Sequence, residues 1–298
     1  MIARKLTMAL VAVFVLAVPG VSLAETWSVP GDFATIQKAI NSADVVDGDE
    51  IEVGPGYFYG ARITKSVTLR GSGRTYITNG PRPWRSRDLN AGFLFRGKKA
   101  ENGSGAKIFD FIFQGVDFSV FASQWSAVVS NVTVQNCTME NAVQAITMWH
   151  ADDWDVQFNK IVDLEAINGG GIGIVVGSYS GDDAFENLIA NNEITGTVYV
   201  DPDDRGGYNA AGILLVSDHR GKRRGGLVEG NLVQRNRIAL VSDTPRVVPV
   251  VGVELTDTRG WVRSSSVTDN EVTDNDLSGT ADDVLLEPLK LDDVNTVQ

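Results

Sequence analysis

Cysteine is almost missing from this chain: Cys137 stands alone among 298 residues. No disulfide can form within the chain, so stability has to come from a buried core, which about 270 residues are enough to build. No pattern around Cys137 supplies a base or a depressed pKa, so it is read as a small buried apolar residue, not a nucleophile. Histidine is nearly as rare. Two histidines, four methionines and one cysteine leave few imidazole or sulfur ligands for a transition metal. Helix-favouring runs are scarce, whereas Gly, Val, Ile and Thr are frequent, a composition that favours strands. Positive charge is in deficit: the formal net charge is −12, which argues against a nucleic-acid partner.

Long apolar runs are confined to the start. Arg4 and Lys5 precede a mostly apolar stretch, Leu6–Val18, and small residues follow at Ser22 and Ala24. This predicts an export signal over residues 1–24, cleaved before Glu25. The stretch is too short for a membrane anchor. The expectation is a secreted or periplasmic monomer without stable membrane insertion, built as one domain over 25–298 with a frayed acidic tail after Pro288. Charge is unevenly spread. Between Arg62 and Lys107, Lys or Arg occupies eleven positions, against only Asp88 and Glu101 as acids. That section is either a solvated face or a seat for an anionic polymer.

What the chain does have is repetition. Asparagine recurs in "VQNCT", "QFNKI", "ANNEI", "EGNLV" and "TDNEV", at Asn136, Asn159, Asn192, Asn231 and Asn270. A second pattern, small-apolar-x-apolar, recurs in phase as "AITM", "GIVV", "GILL", "GVEL" and "DVLL". Each element is too short to bury an apolar face alone, and stacking in a solenoid solves that. Within each, alternate side chains point inward: Ile213 with Leu215, then Val253 with Leu255. The five asparagines are expected to form one structural ladder at a bend, each amide bonding its equivalent one coil away. Before the repeats, "GDFATIQKAINSA" reads as a short amphipathic helix with Asp32 as N-cap, placed to cap the first coil.

"VPGDFATIQKAI", "GDEIEVGPGYF" and "ITKSVTLRGSG" resemble the opening of right-handed parallel β-helix proteins of the pectin-lyase-like superfamily. That group includes pectin esterases, polysaccharide lyases and NosD-like repeat proteins. The resemblance implies an all-β fold, a right-handed parallel β-helix (solenoid) with an N-terminal capping α-helix, and a bias toward carbohydrate chemistry. The catalytic motifs do not come with it. "QAITM" echoes the esterases, but no Gln-Asp pair follows Gln144. "DFIFQG" precedes "QAITM" and is out of order, "GHG" and "RIK" are missing, and "DPDD" lacks the histidine of an epimerase motif.

A lyase needs a base, a carboxylate clamp and a proton donor. If the small-apolar-x-apolar strands form one sheet, the loops after them stack on one flank. This makes His219 a candidate base and Arg220 a candidate carboxylate clamp, with Glu254 the ionisable residue on the sheet's outer row. Trp149, His150, Tyr179, Asp218, Lys222 and Arg259 are candidate substrate-binding residues. Asp201, Asp203 and Asp204 are candidate oxygen ligands for Ca²⁺. The same residues also suit solvated turns of a solenoid. Three functions stay open: an exported, carbohydrate- or cell-surface-associated protein; a lyase or hydrolase of a uronate polysaccharide; and a NosD-like periplasmic accessory protein.

Overall fold

The computed structural model describes residues 24–84, 88–98, 101–167, 170–179, 181–202, 209–219, 225–244, 249–258, 266–280, 282–287 and 295–298. The expected signal, except Ala24, and residues 288–294 of the expected tail lie outside them; the end of that tail is not frayed, since Thr296 and Val297 pair in parallel with Glu271 and Val272. The chain winds as a right-handed parallel β-helix. Four walls recur per coil. The first wall holds two-residue strands: Val129–Ser130, Ala151–Asp152, Ala184–Phe185, Val228–Glu229 and Val267–Thr268. The second holds three-residue strands, such as Asp155–Gln157 and Leu188–Ala190. The third holds Thr138–Ala142, Lys160–Ala166, Glu193–Val200 and Arg237–Ser242. The fourth runs through Phe118–Ala122, Gln144–Trp149, Ile172–Ser178, Ala210–Ser217, Val250–Asp257 and Asp282–Glu287. All pairings between neighbouring coils are parallel, so like positions lie over like. The one described helix, Ile36–Asn41, buries Ile36, Ala39 and Ile40. Its N-cap is Thr35, whose hydroxyl accepts from the Lys38 N–H. Asp32, expected in that role, instead accepts from Ser28.

The bends at either end of the second wall explain the asparagines. At each bend one residue takes a left-handed backbone (φ near +55°), and the next residue points inside. Between the second and third walls the left-handed residues are Asn136, Phe158, Asn191, Arg235 and Asp274. The inward residues that follow are Cys137, Asn159, Asn192, Asn236 and Asn275. Between the first and second walls, Asn187, Asn231, Asn270 and Asn295 point inside in the same way. The single ladder is therefore corrected to two. One runs through Asn159, Asn192, Asn236 and Asn275, the other through Asn187, Asn231, Asn270 and Asn295. Asn136 belongs to neither: it is the exposed left-handed residue before Cys137, a conformation asparagine tolerates.

Asn192 shows the chemistry. Its Oδ1 accepts from the N–H and the Nδ2 of Asn159, both at 3.0 Å. Its Nδ2 donates to the Val156 carbonyl and to Asn236 Oδ1, both at 2.9 Å. A left-handed bend turns backbone groups out of the strand ladder, and the buried amide satisfies them. In earlier coils apolar side chains hold these inward positions: Phe111 and Cys137 at one bend, Val132 and Trp154 at the other. Phe93 packs edge-on to Phe111 and Phe113 there, and Phe95 to Trp154.

The small residue opening each fourth-wall motif also has a cause. Gly173 and Gly212 sit against Ile194 and Ile238 of the third wall, where a Cβ would collide. The inward alternation holds, with Ile213, Leu215, Val253 and Leu255 all in the central core.

Two outcomes follow. Replacing Asn192 by Ala strands buried backbone groups of two coils and should cost about 3 kcal/mol. Asn136→Gly should change stability by less than about 0.5 kcal/mol. Denaturant unfolding midpoints test both. Burial pushes the Cys137 thiol up to about 12, so an alkylating reagent at mildly alkaline pH should leave it unmodified until the protein unfolds. Modification of the folded protein at the rate of a free thiol would contradict this burial.

Candidate functional site

The flank where the fourth wall turns into the first gathers Trp149, His150, Tyr179, Asp218 and His219 of the predicted site residues. The stack exists: Ser178 pairs with Ser217, and Ser217 with Asp257, on successive coils. His150 donates its backbone N–H to the Gly177 carbonyl. But the stack faces inward. His150, Ser178 and Ser217 are fully buried, and Asp218 and Asp257 nearly so.

His219 closes a loop. Its Nδ1 accepts from the Gly225 N–H at 3.1 Å, which leaves the ring proton on Nε2. Nε2 lies 2.9 Å from Ser217 Oγ and donates to it. The serine's own hydrogen goes to the Gly226 carbonyl at 2.8 Å. Asp257 Oδ1 is 3.8 Å from the same Nε2. The three residue types are those of a nucleophile relay, but the directions are wrong: a nucleophilic serine gives its proton to the imidazole. The group is a clasp at the base of "SDHRGKRRGG".

The neighbouring coils repeat the device. Ser178 Oγ donates to the Asp182 carbonyl at 2.7 Å and also meets the Gly226 N–H. Asp257 Oδ2 accepts from the Ser266 N–H at 2.9 Å. Each buried polar residue ending a fourth-wall strand ties down the return of the loop that follows it. Sequence reasoning missed Ser178 and Ser217; the signal was a single polar residue at the close of each apolar run.

Several expected roles are corrected here. His150 does not line a cleft; its Nε2 accepts from the Tyr179 N–H at 3.1 Å, and its Nδ1 lies 3.5 Å from the Asp182 carboxylate. Burial lowers the His150 pKa, against the opposing pull of Asp182. Trp149 is no open stacking platform: it is 7% exposed, packed on Gly177 with its ring 6.1 Å from that of half-buried Tyr179. Glu254 lies on the predicted outer row, in register with Leu214 and Leu285, yet it is only 2% exposed. From Leu94 to Glu254 the outer row is covered. Leu94, Phe121, Trp149, Val175 and Leu214 form a second apolar cluster outside the fourth wall, joined by Trp84, Leu89 and Tyr179. Those covered rows, Leu94 to Glu254, therefore offer no open substrate groove. Arg220, Lys222, Arg259, Asp203 and Asp204 lie outside the described residues.

Carboxylates do collect elsewhere. Burial raises the pKa of Asp117, and that of Glu165, whose rise is reinforced by Asp117 and Asp201. Burial also raises Asp152, reinforced by Asp153, Asp183 and Glu186. Among the described residues, neither Asp201 nor any other acid joins a group of three or more that could hold a metal ion.

Walls, inward asparagines and clasped loops together define a right-handed parallel β-helix. No family model and no curated protein matches the chain. Among solved structures, it is similar to a tailspike protein mutant of E. coli bacteriophage HK620 in complex with a hexasaccharide. The identity is 12% over 88% of this chain, with TM-score 0.38, and the match covers 51% of that chain. The chain thus spans about half the length of that tailspike chain. It is also similar to the A-module of mannuronan C-5 epimerase from Azotobacter vinelandii, at 14% identity over 90% of this chain and 96% of that one, with TM-score 0.30. A third is alginate lyase from a Paenibacillus species, at 12% identity over 88% and 99%, with TM-score 0.28.

The buried imidazole gives a pH test. An unfolded histidine takes up its proton below the usual value of 6.5, whereas folded His150 resists protonation, so it contributes stability above that value and loses it as pH falls toward its lowered pKa. Between about pH 7 and 5, the parent should lose more stability than His150→Asn, a variant suited to the left-handed backbone there. The acids with raised pKa act the opposite way and cancel in this difference. Parallel curves for the two proteins would refute the assignment.

Proposed function

We propose that this is an exported, carbohydrate- or cell-surface-associated β-helix protein that binds its target without cleaving it. One observation carries the reading: among the described residues, the groups the sequence offers for catalysis are engaged in the wall. His150 and Glu254 are buried, and His219 is committed to a clasp. Catalytic acids and bases must reach the reacting atoms; the two imidazoles instead meet the backbone N–H groups of Tyr179 and Gly225, and Glu254 is shut away from solvent. Carbohydrate as the target is supported by the likeness of the first coils to a carbohydrate-associated superfamily. Open aromatic surface supports it further: Tyr57 is 74% exposed and stacks on Tyr76, 5.1 Å between centroids. Export rests on the first 24 residues of the sequence.

The test is a panel of uronate and neutral polysaccharides, each offered to the purified protein with and without Ca²⁺. The expected result is slowed migration in at least one polymer-containing gel, with no rise in ultraviolet absorbance from unsaturated product and no new reducing ends. Product formation that vanishes in His219→Ala would install the lyase or hydrolase in its place.

A further inference from the structure

The basic section between Arg62 and Lys107 has no part in the clasps or ladders, and the fold gathers some of it onto one surface. Arg62 lies on the outer row of the fourth wall, next to Leu94 in the following coil, and is exposed. Its guanidinium rests on the carbonyl of Arg96. Arg96 in turn donates to the Pro83 carbonyl at 2.8 Å and sits 5.9 Å from the centre of the Trp125 ring. Trp125 is held edge-on by Trp84 at 6.3 Å, and Trp84 stands on Phe118 and Phe121. This indole is anchored from below, yet it is 52% exposed. Lys98 is exposed in the adjoining turn, which also carries Glu101. Among the described residues, no ion pair is recorded for Arg62, Arg96 or Lys98, whereas nearby Arg82 is paired with Asp88 and Arg70 with Glu50.

We infer that Arg62, Arg96, Lys98 and Trp125 form a binding site for an acidic saccharide, a sugar ring carrying a carboxylate or sulfate. The inference rests on the binding function proposed above and gives it a place. The chemistry is complementary in two respects. The indole offers a flat apolar surface to the C–H face of a pyranose. The two guanidiniums, fixed by backbone carbonyls, offer forked donors to an anion beside it. The surrounding charge selects the ligand class. A chain of net charge −12 repels a densely charged polymer over most of its surface, and a saccharide anion fits a small basic island better than a nucleic acid does.

Retention in gels containing alginate, chondroitin sulfate, a neutral glucan or single-stranded DNA tests this on the full protein. Alginate or chondroitin sulfate should retard the parent, less so as salt rises. Arg62→Gln, Arg96→Gln and Trp125→Ala should each weaken that retention by about tenfold. Circular dichroism verifies folding; if Arg96→Gln misfolds through loss of its Pro83 contact, Arg62→Gln with Lys98→Gln serves instead. Undiminished retention of the folded variants would overturn the site while leaving the binding function intact. Equal retention by the neutral glucan would overturn the acidic class, and equal retention by DNA would overturn the saccharide. Retention by no polysaccharide would defeat the parent proposal itself.

Discussion

Everything in this molecule follows from stacking parallel strands with identical positions superimposed. Neighbouring strands sit about 4.8 Å apart, so any side chain placed inside meets its own equivalent above and below. For valine or isoleucine this is ordinary packing. At a bend, where a left-handed residue turns backbone groups out of the ladder, it becomes a constraint that few side chains meet. Asparagine does so because its amide both donates and accepts, and can be satisfied by copies of itself. Where the early coils use Phe111 or Val132 instead, the bend is filled by area rather than by side-chain hydrogen bonds, whereas the indole N–H of Trp154 donates to the Val129 carbonyl at 2.8 Å.

The same stacking explains why the predicted site turned into architecture. Residues that recur at one position of successive coils are brought together whether or not they share a task. Ser178, Ser217 and Asp257 meet because they end equivalent strands. Serine, histidine and aspartate converge here as they would in a relay, but burial and donor direction assign them to loop closure. The surfaces left for recognition are those where aromatic and cationic side chains emerge beyond the walls.

How much was legible in the chain depended on periodicity. The strands, the inward alternation and even the outer row from Thr147 to Leu285 could be read, because a period of two and a recurring glycine encode them directly. The split of the asparagines was readable in principle: Asn187 and Asn192, Asn231 and Asn236, and Asn270 and Asn275 stand five apart, the length of one short strand with its bend. Taking one asparagine per coil mixed two corners. The burial of Trp149 was not readable, because it packs on Gly177 and against Tyr179 of the next coil, about 30 residues on. Nor did the local pattern show that Arg96 would meet Trp125, since that contact joins two loops.

The clasps carry a wider consequence. Ser178 reaches a residue 4 positions on, Ser217 one 9 positions on, and both end at the same rim of the first wall. Because the rim closes behind each excursion, the scaffold does not register how long that excursion is. Insertions of quite different size and charge can be exchanged there, like tools on a common handle, without disturbing the winding of the coils beneath.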